Sequence, residues 1–159
     1  MNLHIICIGS IKESFYKEAV AEYVKRLSGY CKCEIIELKD EKTPNSNQDN
    51  SILKVKESEG DRILSKLKDD SFLIALDILG EKLSSEKLAK KMQEFEIKSK
   101  SNLFFVIGGS LGLSQKVLKR ADIRLSFSDM TFPHQLMRII LLEQIYRSYK
   151  IRNNEPYHK

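Results

Sequence analysis

No stretch of this 159-residue chain approaches the roughly 18 consecutive apolar residues of a membrane span. Its apolar start, Leu3 to Ile8, is too short for a secretory signal, and no basic segment precedes it. A soluble, cytoplasmic protein with no membrane partner is expected. Cysteine is scarce and odd in number: Cys7, Cys31 and Cys33. Cys31-Lys32-Cys33 lacks the two-residue spacer of a redox pair, and none of the three histidines lies near it. Reduced structural thiols in a reducing compartment are expected, with no metal site. Two nucleotide signatures are missing. Gly-Lys-Ser/Thr is absent, and Ile107 stands where a dinucleotide fingerprint needs its first glycine. There is no internal repeat, low-complexity tract or interdomain linker, so one domain spanning residues 1–159 is expected.

What is present is ordinary globular composition. Hydrophobic residues at 42% and charged residues at 31% exclude a largely disordered chain. Lys and Arg number 27 against 22 Asp and Glu, a net charge of +5. That excess permits a nucleic-acid partner without demonstrating one, since a solvated Lys-rich surface gives the same count.

Strands and helices alternate along the chain. Leu3–Ile8 reads as a strand apolar on both faces. Ser10 to Glu13 has the spacing of a capping box, opening a helix to about Ser28. Its apolar stripe is Ile11, Phe15, Ala19, Tyr23 and Leu27, and Gly29 suits the stop. Cys33–Leu38 is a second strand. The polar stretch Lys39–Asn50, with Pro44, is a loop. A charged helix over about Ser51–Lys68 is weakened by Gly60. Phe72–Asp77 is the third strand, with Gly80 in the loop after it. A helix capped by Ser84 or Ser85 runs to Lys98, marked by Leu88, Met92, Phe95 and Ile97. Leu103–Ile107 is the strongest strand, followed by a short helix over Ser114–Arg120 and a strand at Ile123–Phe127. The last helix starts at Pro133, a good first-turn residue, and reaches Arg152. This alternation implies an α/β fold with a mainly parallel sheet flanked by helices. Ligands then sit beyond the carboxyl ends of strands, in the loops after Ile8, Asp77, Ile107 and Phe127.

Those loops carry unusual residues. Gly108-Gly109-Ser110-Leu111-Gly112 permits close backbone approach to a ligand, or simply makes a tight turn. Ser126 to His134 is a strand end, a polar turn and a helix start. Met130 and Phe132 are costly there unless they line a cavity or an interface. From Leu136 to Tyr146 only Arg138, Glu143 and Gln144 are polar, so apolar residues circle the helix. Such a helix needs cover on all sides, from its own chain and from a second subunit. Arg138 requires a buried partner or a ligand. The end, Asn153 to Lys159, is either a frayed tail or, through Tyr157, His158 and Lys159, a site for stacking, proton transfer and phosphate contact. His4, inside the first strand, reads as structural.

The glycine loop, the run Ser128-Asp129-Met130-Thr131-Phe132-Pro133-His134-Gln135-Leu136-Met137-Arg138, its continuation Leu142-Glu143-Gln144-Ile145-Tyr146-Arg147 and the tail Pro156-Tyr157-His158 resemble one known family. It is the small ribosomal RNA large-subunit methyltransferase H family, of the SPOUT superfamily. The resemblance covers the whole chain, and its motifs in the last third are highly specific. It implies a carboxyl-terminal trefoil knot, S-adenosylmethionine as cofactor, and a homodimer with each active site at the subunit boundary. It implies methylation of N3 of a pseudouridine in large-subunit (23S) ribosomal RNA within the ribosome. At matching positions the cofactor residues are Leu76, Gly108, Phe127, Ser128, Asp129, Met130, Thr131 and Phe132.

An imide nitrogen must lose its proton before it attacks, and His134 and His158 are the candidate bases. Arg138 suits the imide anion or a phosphate, and Tyr157 offers a stacking face. Two alternatives from other classes stay open: a non-enzymatic RNA-binding or ribosome-assembly module, and a flavodoxin-like flavin or nucleotide binder.

Overall fold

The computed structural model, described over residues 1–42, 49–98 and 102–159, is a three-layer α/β/α arrangement around one five-stranded sheet. The strands are β1 (Asn2–Ile8), β2 (Lys32–Leu38), β3 (Phe72–Lys82), β4 (Asn102–Ile107) and β5 (Ile123–Ser126). All are parallel, in the order β2-β1-β4-β3-β5. The helices are α1 (Ser14–Leu27), α2 (Asp49–Leu64), α3 (Ser85–Lys98), α4 (Gln115–Arg120) and α5 (His134–Arg152).

The sheet's two faces explain its apolar runs. One face, from Leu3, Ile5, Cys7, Phe105 and Ile107, packs against Leu27 of α1, Met92 and Phe95 of α3, and Leu141, Leu142 and Ile145 of α5. The other, from Ile6, Ile8, Phe104 and Val106, packs against Ile63 of α2 and Val117 of α4. A strand covered on both faces cannot alternate apolar with polar, which is why β1 and β4 read as continuous apolar segments. His4 lies in this sheet beside both neighbours it touches. Its ring stacks on Phe104 at 4.4 Å, and its Nδ1 is 2.9 Å from Glu34.

Several expectations are corrected. The segment Ser10 to Glu13 is not a capping box: α1 begins at Ser14, and its N-cap Glu13 makes no side-chain cap bond. Instead the Ile11 amide donates to Glu37 and the Lys12 amide to Gln135, so this segment is held by distant residues. Phe15 is 60% exposed, so the expected stripe is fully buried only at its two ends, Ile11 and Leu27. Ser28 is the C-cap of α1, its hydroxyl donating to the Lys25 carbonyl, and Gly29 follows it as the expected stop without a positive φ. The expected loop Lys39–Asn50 is shorter, because Asp49 and Asn50 open α2; residues 43–48 lie outside the described ones. Ile97 faces outward. Pro133 is the N-cap of α5, one place before its first helical residue.

Two glycines have packing reasons. A Cβ on Gly60 would lie 2.2 Å from the Ser114 hydroxyl, so its absence lets α2 close onto the N-cap of α4. β3 does not stop at Asp77. Leu125 pairs first with Leu76 and then with Glu81, so Asp77 to Gly80 bulge out before pairing resumes. A Cβ on Gly80 would meet the Arg124 backbone at 2.6 Å.

The last helix buries one stripe: Arg138, Leu141, Leu142, Ile145, Ser148 and Tyr149. The chain does not cover its other sides fully. Leu136, Met137, Ile139 and Ile140 remain half-buried. Among the described residues, no helix is long and apolar enough to cross a membrane.

Candidate active site

The carboxyl ends of β3, β4 and β5 and the first turn of α5 enclose a cavity of about 730 Å³. This is where a parallel sheet presents its loops to ligands. The first wall is the turn after β4. Gly109 and Gly112 form an isolated bridge, with the Gly112 amide donating to the Gly109 carbonyl at 3.0 Å. Gly112 has φ +78°, which a side chain would strain. A Cβ on Gly108 would meet the Gly112 carbonyl carbon and the Leu113 side chain at 3.1 Å. The glycine there keeps the turn tight and its backbone open to the cavity.

The second wall is the segment after β5. The Ser126 hydroxyl donates to the Ser128 carbonyl at 3.2 Å, and the Ser128 hydroxyl accepts from the Met130 amide at 3.0 Å. These two short-range bonds fold the polar turn and leave Met130 74% exposed at the cavity rim. Of the eight residues expected to hold a cofactor, Leu76, Gly108, Phe127, Ser128, Met130, Thr131 and Phe132 line this one cavity. Asp129 is not among the lining residues; its carboxylate pairs with Lys82. The lining is apolar side chains and loop backbone, which suits an adenosine held by its edges and faces. Asp77, Ser110 and Met137 also line it; the sequence placed them in the candidate loops and motif run without assigning them a role. Their signal was position alone, since Asp77 ends the expected third strand and Met137 lies one turn into the last helix. Asp77 is held by Arg124 Nε at 2.7 Å.

The four candidate catalytic residues fall into separate places within one chain. His134 lines the cavity. Arg138, one turn later, is 1% exposed and outside the lining. It pairs with Glu37 and donates from Nη2 to the Gly9 carbonyl at 3.3 Å. Among the described residues its Nε has no hydrogen-bond partner.

Tyr157 and His158 do not line the cavity. The tail is not frayed: it folds back on α5 and α3. Its turn passes through Asn154, the one non-glycine residue with positive φ among those described. Tyr30 donates to Glu155 at 2.7 Å. Tyr157 packs edge-on to Tyr146 at 5.0 Å, beneath Arg147, and donates to Glu143 at 3.1 Å. Burial, and then the Glu143 charge, push its phenol up to about 12, so it is a donor at neutral pH. His158 bridges Arg147 at 3.2 Å and Glu86 at 2.8 Å. Hydrogen bonds, led by that from Ser84, hold the Glu86 carboxyl down at about 2.

The cysteines are free, and burial pushes the Cys7 and Cys33 thiols up to about 12, away from reactive thiolate. Among the described residues no group of three His, Cys, Asp or Glu is placed to hold a metal.

The family model and the full-length relatives agree on one family. Residues 1–158 match the family described as "Predicted SPOUT methyltransferase". The chain is 57% identical over 159 residues to "Ribosomal RNA large subunit methyltransferase H" of Clostridium novyi (strain NT), covering all of both chains. It is 57% identical, again over the full length of both, to the protein of the same name from Clostridioides difficile (strain 630). "Ribosomal RNA large subunit methyltransferase H 1" of Clostridium perfringens (strain SM101 / Type A) is 55% identical over both full lengths. Among solved structures, "a probable methylase family protein" from Haemophilus influenzae Rd KW20 aligns with TM-score 0.50 at 12% identity. That alignment covers 96% of this chain and 66% of the other, and it speaks to the fold alone. The chain belongs to the SPOUT methyltransferases and, within them, to the ribosomal RNA large subunit methyltransferase H family.

Proposed function

We propose that this chain is a cytoplasmic, S-adenosylmethionine-dependent methyltransferase acting on N3 of a pseudouridine in large-subunit ribosomal RNA within the assembled ribosome. The observation that carries the reading is convergence. Seven residues scattered from Leu76 to Phe132 meet at one cavity, and His134 stands in the same wall. Full-length relatives named as ribosomal RNA methyltransferases support the substrate class.

Leu76, Met130 and Phe132 are the apolar slot for the adenosine, and Gly108 gives its backbone to the ligand's edge. When bound, S-adenosylmethionine supplies an electrophilic methyl group. His134 takes the imide proton from N3, the step a near-neutral base is suited to. Arg138 acts from behind: it holds the Gly9 carbonyl, and a Cβ on Gly9 would lie 3.9 Å from His134 Nε2. Arg138 thus fixes the turn that faces the base, and we assign it a positioning role. Aligning the nitrogen with the methyl group supplies much of the remaining rate.

The working unit in this proposal is a homodimer, joined through the half-buried sides of α5. Leu136, Met137, Ile139 and Ile140 form a surface that one chain leaves incompletely covered. Tyr157 and His158 then serve the partner's site, since they lie outside their own. The proposal includes the family's carboxyl-terminal trefoil knot and a single domain over residues 1–159.

The test is labelled methyl transfer to ribosomes from a strain lacking this protein, with the product nucleoside identified. N3-methylpseudouridine is the expected product. Another methylated nucleoside, or none, overturns the reading.

A further inference from the structure

Beside the large cavity lies a second, much smaller one of about 50 Å³. The two share Gly109, Ser110, Leu111 and His134. Asp40, Glu41 and Glu59 stand in the small cavity's wall beside Ile8 and Val55. These carboxylates are not equivalent. Asp40 is exposed to solvent. Glu41 is engaged by Arg62 and by the Ser58 hydroxyl. Glu59, on α2, is 5% exposed. Its Oε1 accepts from the Glu41 amide at 3.0 Å, and among the described residues its Oε2 accepts no hydrogen bond. A Cβ on Gly109 would lie 3.3 Å from that Oε2, so the carboxylate sits close against the loop both cavities share. Burial pushes the Glu59 carboxyl above the ordinary carboxylate range, the Glu41 amide opposing.

Glu59 lines the small cavity with a carboxylate oxygen that has no protein donor among the described residues, a place where an N–H of a ligand can take over from water. The small cavity is a fraction of its neighbour's volume, a size that suits the edge of a base. Pseudouridine is joined to its ribose through carbon, so its N1 keeps a hydrogen that uridine does not have. We propose that Glu59 accepts this N1–H and is the residue by which the enzyme tells pseudouridine from uridine. The inference rests on the methyltransferase reading above and deepens it. Its physical basis is that a site built around an acceptor rejects an analogue lacking the donor far more strongly than an apolar slot can.

The experiment compares kcat/KM of wild type, Glu59→Leu and Glu59→Gln on two ribosome preparations. One carries pseudouridine at the target and the other carries uridine there. Cofactor affinity is measured by calorimetry and folding by thermal unfolding. Wild type is expected to prefer pseudouridine. For Glu59→Leu the loss on pseudouridine should exceed the loss on uridine by at least about tenfold, the effect of one hydrogen bond to a charged acceptor. Glu59→Gln, which keeps an acceptor oxygen, should recover part of that preference. Equal losses on both ribosomes, or a matching loss of cofactor affinity, overturn the proposal and leave Glu59 as a support for the glycine turn. A wild type indifferent to the base overturns it while methyl transfer itself stands. A wild type that methylates neither ribosome removes both readings. If Glu59→Leu does not fold, Glu59→Gln decides: equal loss on both ribosomes overturns the proposal, and a selective loss on pseudouridine upholds it.

Discussion

Arg138 Nη2 donates to the carbonyl of Gly9 at 3.3 Å, joining the first turns of α5 to the turn that leaves β1. Glu37 completes the connection, accepting from both Arg138 and the Ile11 amide. Arg138→Met should destabilise the protein by about 1–3 kcal/mol, below the usual cost of breaking a buried ion pair because Glu37 is 42% exposed. Arg138→Lys should recover little, since one ammonium cannot reproduce the fork that meets two acceptors. Thermal unfolding measures the first effect. kcat against KM measures the second: a positioning role predicts a fall in kcat with cofactor affinity retained.

Gly108→Val should abolish cofactor binding. The added Cβ meets the Gly112 backbone and Leu113 at 3.1 Å, and the two further methyl groups of valine crowd the turn that faces the cavity. Calorimetry with S-adenosylmethionine is the measurement, and unchanged affinity would place the ligand elsewhere.

Deleting Pro156 to Lys159 should leave cofactor affinity intact and reduce methyl transfer by at least about 100-fold, the lower end of general acid–base contributions. His134→Ala should fall by a similar factor. Mixing the two inactive variants as subunits gives the sharper result. If each site takes His134 from one chain and the tail from the other, the mixed dimer has one complete site. A random mixture should then recover about a quarter of wild-type activity, given a two-fold dimer. No recovery would place the tail's contribution elsewhere.

The tail's docking should fail on the alkaline side. Folding raises the Tyr157 phenol from 10.0 to about 12. A raised pKa means the neutral form is favoured by the fold. Its contribution is therefore constant below about 10 and lost as pH climbs from there through about 12. Ultraviolet titration of the phenol, with Tyr157→Phe as the blank, should show one tyrosine ionising near that upper value. Ionisation at the ordinary value would mean the ring is not held against Glu143 and Tyr146.

The fold was legible where the physics is local. Five consecutive apolar residues announced β4, and Ser114 marked the start of α4, its hydroxyl accepting from the Val117 amide. Local signals misled where distant partners outcompete them. Ser10 to Glu13 has the letters of a capping box, but Glu37 and Gln135 take the amides of Ile11 and Lys12 and delay the helix. The cavity loops were legible from glycine and misplaced apolar residues. Glu59 was not, because a glutamate in a charged helix looks solvated until Glu41 and Gly109 are known to close over it. Nor was the partner of Arg138, which lies 101 positions away.

β1 comes before the other four strands along the chain, yet it lies inside the sheet between β2 and β4. Its pairing toward β4 must wait until residues Asn102 to Ile107 have left the exit tunnel. Until then a largely apolar strand keeps one edge open, the condition that invites misassociation during synthesis. High contact order of this kind slows folding, so the nascent chain spends its most vulnerable interval with β1 half paired.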